Sequence, residues 1–320
     1  MAVTLITSHK GEYFSPLVED EITWETKRKG SPGKLECTVR PDASLALYEG
    51  DAVRLSCDGS DVFYGYVFEK KRDKQGLLSV TAYDQLRYLK NKDTLAYEGL
   101  TASKLLQTIA GEFRLSCGDI EDTGYTLEGR VEDNQTLFDI LQNALDETLQ
   151  ATGKLYVLYD RFGKLCLRDA GGWKLDILLD PGAIGDIDYT SGIDGQTFNK
   201  IKLLYDNQQT GKRELYIAQS GESMNEWGVL QYTETLQSTT GAREKADALL
   251  QLYNQKTKTL QVKGALGDVR VQAGCLVPVD LYLGDKDVQQ YLLVESAKHT
   301  FQGQAQHTMD LTLIGGGFSA

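Results

Sequence analysis

The apolar residues of this chain follow two periods, and the changes of period divide it. Between residues 22 and 83 they alternate with polar ones over 22–26, 34–39, 51–57, 62–68 and 77–83. Gly, Pro, Asp and Ser clusters separate these runs, which predicts five antiparallel strands, most with one buried and one wet face. Residues 1–6 read as an opening strand and 83–89 as a short helical turn that closes the unit. An open sheet of five or six strands leaves two unprotected edges, so a barrel or rolled sheet is expected for residues 1–93.

From 95 to 152 the spacing shifts to three and four. Leu105, Leu106, Ile109, Ala110 and Phe113 share one face of a helix that starts at the cap Thr101. A second helix starts near Thr136, with Asp139 three residues on as a weak capping box and a stripe of Leu137, Ile140, Leu141, Ala144, Leu145 and Leu149. Each is only about three turns long and is unstable alone. The expected partner surface is the flanking strand material, above all 155–167, where 154–159 and 164–168 flank a hairpin turn at Asp160-Arg161-Phe162-Gly163. Residues 94–190 therefore read as a small α/β domain. From about 191 strands return at 198–205 and 214–218. One helix is expected at 241–254, with Ala246, Leu249, Leu250 and Tyr253 as its stripe, and strands at 259–262, 276–279, 291–294 and 309–313 close the chain. The fold class is mainly β with an α/β insert: β domains at 1–93 and 191–320 flank the helices.

Composition narrows the function. With 320 residues, 41% hydrophobic and 25% charged, two or three cored domains are affordable, and no eighteen-residue apolar run predicts a membrane span. The opening residues lack the basic and apolar regions of a signal peptide. Five scattered cysteines form no disulfide framework and no C-x-x-C pair, which points to folding in a reducing cytosol. A formal charge of −12 is the wrong sign for a general nucleic-acid binder. The dense basic clusters, Lys27-Arg28-Lys29 and Lys70-Lys71-Arg72 with Lys74, read as solvated turns or a protein interface. Seventeen tyrosines suit both strands and large subunit interfaces.

Catalytic chemistry is hard to find. Gly264-Ala265-Leu266-Gly267-Asp268 lacks the Lys and Ser/Thr of a phosphate loop, and neither a dinucleotide fingerprint nor a G-x-S-x-G elbow is present. His299 and His307 approach each other if 300–306 is a hairpin. No further ligands stand at metal-site spacing, so structural hydrogen bonding is the simpler expectation. Pairs such as Asp186 with Asp188, or Glu121 with Asp122, arise freely among 46 acidic residues and read as loop charges. Gly315-Gly316-Gly317 reads as a flexible tail. No catalytic, cofactor-binding or metal residue is assigned.

The order of segments is itself distinctive. Residues 80–89 (VTAYDQLRYL), 100–106 (LTASKLL), 153–160 (GKLYVLYD), 199–203 (NKIKL) and the closing His299-Thr300-Phe301 with 307–311 (HTMDL) resemble tail hub proteins. Those are the baseplate hubs of contractile-tailed phages and of phage-like elements of Gram-positive bacteria. The resemblance implies two β-barrel-like domains related to the tail-tube fold, with smaller accessory domains. It further implies a homotrimer whose six barrels meet the hexameric tail tube protein on one side and the trimeric central spike protein on the other, among other baseplate subunits. Such hubs are structural, made in the bacterial cytoplasm and assembled into the particle, with DNA at most passing through the lumen and no membrane insertion. A ring needs a heterologous interface. Tyr64, Tyr66, Tyr83, Tyr88, Tyr205 and Tyr216 are candidate anchors for it, and core packing is expected for at least half of them. An acidic lumen would repel passing DNA. Two other functions compete: a baseplate-associated peptidoglycan hydrolase, which needs an opposed carboxylate pair or a His-based site, and a carbohydrate- or receptor-binding module, which needs a peripheral aromatic groove.

Overall fold

The computed structural model describes residues 2–42, 45–207, 210–236, 239, 241–283, 287–303 and 306–315, so Gly316 and Gly317 of the expected tail lie outside it. The alternating runs form the expected strands. They are β1 (Val3–His9), β2 (Glu12–Phe14), β3 (Leu17–Lys27), β4 (Lys34–Arg40), β5 (Ala52–Cys57), β6 (Ser60–Arg72) and β7 (Leu78–Tyr83), followed by a 3₁₀ turn, Gln85–Lys90. Alternation decides their faces: in β4, Leu35, Cys37 and Val39 are buried while Lys34, Glu36 and Thr38 stay partly wet. Leu35, Val53, Leu55, Phe63, Val67 and Ala82 build the core of this first lobe.

The insert comprises β8 (Lys92–Tyr97), α1 (Ala102–Glu112), β9 (Cys117–Ile120), β10 (Arg130–Thr136), α2 (Leu137–Thr152), β11 (Tyr156–Asp160) and β12 (Leu165–Asp169). Both predicted caps form: the Thr101 hydroxyl accepts the Lys104 N–H at 3.3 Å and the Thr136 hydroxyl accepts that of Asp139 at 3.1 Å. Gly153, in the left-handed region at φ 71°, ends α2. The helical stripes pack on Tyr156, Leu165 and Leu167 of the expected hairpin, and equally on Leu86, Leu89 and Tyr97 from the preceding chain.

Next come β13 (Asp186–Gly192), β14 (Lys200–Asn207), β15 (Lys212–Gln219), α3 (Gly221–Trp227), β16 (Gln231–Thr235) and α4 (Ala242–Tyr253). Strands β14–β16 make a separate three-stranded sheet whose one face packs on α4 through Ile201, Leu203, Ala218, Ala246 and Leu249. The chain ends in β17 (Thr257–Leu266), β18 (Leu276–Tyr282), β19 (Asp287–Gln302) and β20 (Gln306–Gly315). With β13 these bury Val262, Val277, Val294, Leu311 and Leu313 in a second β lobe.

The two lobes are joined in one twelve-stranded sheet, ordered β13-β17-β20-β19-β3-β4-β7-β6-β5-β1-β2 with β18 on β19. The reason lies in β19, which is 16 residues long and changes neighbour half-way. Residues 287–293 pair with β18, and residues 296–302 pair with β3 from Gln302↔Glu21 to Ser296↔Lys27. A register shift against β20 between Val294 and Ser296 marks the change, and there Arg28 donates to the Glu295 carboxylate at 2.6 Å. Phe301, carried by β19, is buried in the core of the first lobe. Among the described residues neither lobe closes into a hydrogen-bonded barrel, so the β-barrel-like expectation is met only as a mainly β architecture.

Candidate functional site

The six tyrosines do not form one patch. Tyr64, Tyr66, Tyr83 and Tyr88 converge with Phe68 and Phe162 into a chain of rings: Tyr64–Tyr66 centroids lie 5.7 Å apart, Tyr64–Phe162 5.6 Å, Tyr66–Tyr88 6.5 Å and Phe68–Tyr83 5.5 Å. All four tyrosines are half-buried. Tyr64 faces the β11–β12 turn, so this cluster seats the insert hairpin on the first lobe. Arg54 over Tyr64 and Arg87 over Phe68, both at 5.2 Å, cover it with cation–π contacts. Tyr205 and Tyr216 lie elsewhere, on the α4 side of β14 and β15, where the Tyr216 hydroxyl meets Glu214 at 3.0 Å.

The opposite face of that small sheet is bare, and the sequence reading missed it. Register places Lys202 beside Ile217 and Leu204 beside Leu215. Leu215 is 53% and Ile217 51% exposed, with Lys200, Lys202 and Arg213 around them. This face is apolar at its centre and carries Lys200 and Lys202 beside it, while Arg213 is bound by Asp206 of the same face at 2.6 Å. The available signal was the run of four apolar residues from Leu215 to Ala218, which in a strand puts two of them on each face.

The histidine expectation resolves into geometry. His299 is fully buried, stacked between Trp24 at 4.8 Å and Phe301 at 6.3 Å. Its Nε2–H donates to the Val271 carbonyl at 2.7 Å, so its Nδ1 is the acceptor for the His307 Nε2–H at 2.9 Å. Both ring nitrogens are thus engaged by protein, which leaves His299 no lone pair for a metal. Burial holds its pKa down at about 3 and that of His307 below the usual histidine value. Gly267 lies so close under the His307 ring that a side chain there would overlap it.

The carboxylate pairs have structural partners or face water. Asp186 and Asp188 are exposed on β13. Glu121 accepts the Asp169 N–H at 2.8 Å, and Asp122 is held below the usual carboxylate range by the Gly124 N–H and the Ser103 hydroxyl. The first basic cluster is neutralised within the chain: Lys27 meets Glu25 at 3.1 Å, Arg28 meets Glu295 at 2.6 Å and Lys29 meets Asp146 at 3.0 Å. Arg28 and Lys29 thereby tie the β3–β4 turn to the second lobe and to α2. In the second cluster, Lys70 donates to the Leu47 carbonyl at 2.6 Å and lies over the Tyr48 ring. Among the described residues no group of three or more His, Cys, Asp or Glu side chains converges as a metal site. All five cysteines are free, and only Cys117 is exposed.

What the chain does present is therefore architecture: two β lobes sharing a sheet, a helical insert seated by aromatics, and a bare small sheet. A family model described as YqbQ-like matches residues 22–314, nearly the whole of that architecture. The chain belongs to the YqbQ-like family. Within it, this YqbQ-like chain is 29% identical over 313 residues to the phage-like element PBSX protein XkdQ of Bacillus subtilis (strain 168), covering 93% of each. Its fold is also that of a prophage MuSo2 43 kDa tail protein from Shewanella oneidensis, with a TM-score of 0.71 at 15% identity over 97% and 98% of the two chains. A more distant likeness, TM-score 0.59 at 11% identity over 96% of this chain and 76% of the other, is to the E. coli c3393 protein. That protein is described as a component of the type VI secretion system with structural similarity to the T4 tail proteins gp27 and gp5. No helix of the described YqbQ-like chain is long and apolar enough to cross a membrane.

Proposed function

We propose that this chain is a structural tail-baseplate hub. Three copies form a ring that adapts a sixfold tail tube to a threefold central spike and lines the ejection channel, without catalysis of its own. The observation that carries the reading is the pair of β lobes, each with its own core, held in one sheet by β19. Two β lobes per chain give six per trimer, the number that a threefold-to-sixfold adaptor requires. A barrel-like first lobe is supported by its path. Only Ser15 and Pro16 separate β2, paired with β1, from β3, paired with β4, so the sheet turns back toward its own start. Relationship to a phage-like-element protein, and a fold in common with prophage tail proteins, favour a tail role. The acidic total fits a channel that repels DNA.

The test is electron microscopy of the purified chain mixed with its tube and spike proteins. The expected image is a threefold ring with six β lobes between the two partners. A chain found only at the periphery of the particle, or as a monomer bound to neither partner, would sink the reading. Incubation with peptidoglycan should release no fragments.

A further inference from the structure

Two buried carboxyls line one void where three parts of the chain join. Asp84 follows β7 and is fully buried, its Oδ2 accepting the Gly33 N–H at 2.8 Å and its Oδ1 accepting the Leu86 N–H at 3.0 Å. Asp160 ends β11 and accepts the Gly163 N–H at 2.7 Å through Oδ1, while its Oδ2 is buried and makes no hydrogen bond of ordinary geometry, the Gln85 N–H being a backbone donor near this carboxyl. Both border a void of about 20 Å³, together with Trp24 of the first lobe, Leu158 of the insert, and Gln272 and Ala273 of the second lobe. That is room for about one water. Ala273 is anchored to the same place, its N–H donating to the Thr26 hydroxyl at 3.0 Å.

The surrounding groups do not neutralise this pair. From β3, Lys27 borders the void but its ammonium is on Glu25 at 3.1 Å. On the cleft outside, Arg161 faces Asp119 at 3.6 Å, Arg270 is bound by Asp268 and Asp176, and Lys164 and Asp61 are exposed to water. Tyr66 on β6 and Tyr159 on β11 are both pushed up to about 12 by burial and so stay neutral. Burial also raises the Cys166 thiol, and His299 behind Trp24 is neutral because burial depresses it to about 3. Two anions in one buried junction without a cation are untenable.

We propose that Asp84 and Asp160 share one proton in the closed molecule, and that its loss at rising pH loosens the docking of the insert hairpin and the second lobe on the first. Either acid can carry this proton: Asp84 holds two ordinary backbone hydrogen bonds that favour its anion, whereas Asp160 Oδ2 makes none of ordinary geometry, and the charge of each disfavours that of the other. Burial, and for Asp84 also the charge of Asp160, raises both acids, Asp84 well above its ordinary value and Asp160 to about 7. The unfolded carboxyls titrate near ~3.9. The folded chain therefore holds a proton that the unfolded chain has released. The stabilisation is complete below the unfolded value and is lost as pH rises through about 7.

Asp160→Asn mimics the protonated pair: its amide oxygen keeps the Gly163 bond, and its amide nitrogen takes the place of the protonated oxygen. Unfolding equilibria of the full chain and of this variant are measured from pH 5 to pH 8 in chelator. Taking the ratio of their unfolding constants removes the opposite-signed contributions of His299 and His307. The ratio, wild type over variant, should rise on the order of 100-fold between pH 5 and 7 and then level off, about tenfold per pH unit for one proton. The exposed control Asp119→Asn should leave the profile parallel to wild type. A flat ratio for Asp160→Asn overturns the proposal. So does a wild-type profile that calcium or magnesium at pH 8 restores to its acidic value, since a cation would then neutralise the pair. Should the variant fail to fold, infrared difference spectra of wild type with ¹³C-labelled aspartate decide. A protonated-carboxyl band at pH 6 that vanishes by pH 8 is expected, and its absence at pH 6 refutes the shared proton.

Discussion

Gly163 shows how much of the insert's docking rests on single atoms. Its φ of +79° lies in the left-handed region, and a Cβ there would clash with the Tyr64 ring. Its carbonyl accepts the Gln85 side-chain amide, which also accepts the Ser116 N–H at 2.9 Å, so one glutamine bridges the 3₁₀ turn and two loops of the insert. Gly163→Ala should therefore cost about 1–3 kcal/mol in denaturant unfolding, from strained backbone and overpacking together. Sequence reading placed the hairpin turn at 160–163 and named Tyr64, but not their contact, nor the meeting of Asp84 with Asp160. Residues 76 positions apart and without periodicity leave no local trace of proximity. The histidine pair was foreseeable only because His299 and His307 bracket one turn.

Among the elements, strands β3 to β7 and β17 to β20 and helices α1, α2 and α4 were legible because burial on one face imposes a period on the sequence. The insert strands β8 and β10 were not. Strand β10 reads Arg-Val-Glu-Asp-Asn-Gln-Thr, almost wholly polar, and exists through main-chain pairing with β8 around a bulge. Short helix α3 was missed for the same reason, since only Ser223 of its seven residues is buried. The joining of the lobes was also illegible: strand pairing between β3 and β19 is set by geometry across some 275 residues, not by local pattern. It makes a distinctive forecast for Phe301. Phe301→Ala should cost about 3–5 kcal/mol. Although the change lies in a strand of the second lobe, hydrogen exchange should accelerate most at Leu35 and Leu55 of the first lobe.

For the whole molecule, the proposed ring needs a surface that each copy can offer to its neighbour. The bare face of β14–β16 is a better candidate on exposure than the tyrosines, four of which already seat the insert and two of which pack toward α4. Its Lys200 and Lys202 suit a neighbour of net negative charge. The double change Leu215→Asp with Ile217→Asp should therefore reduce assembly of the chain with the tube and spike proteins proposed as its partners at least tenfold in light scattering, with unfolding midpoints unchanged. Assembly at the wild-type level would remove this face from the interface.

Strand β19 has a consequence in time as well as space. During synthesis the first lobe emerges early, yet its core lacks Phe301 and its β3 edge lacks a partner until residues 296–302 leave the ribosome. Pairings this distant in sequence form late. A nascent or truncated chain thus keeps an open strand edge and an incomplete core on the lobe proposed to enter the ring. The arrangement makes the first lobe wait on a distant segment: only a polypeptide translated past residue 302 can complete that lobe's edge and core.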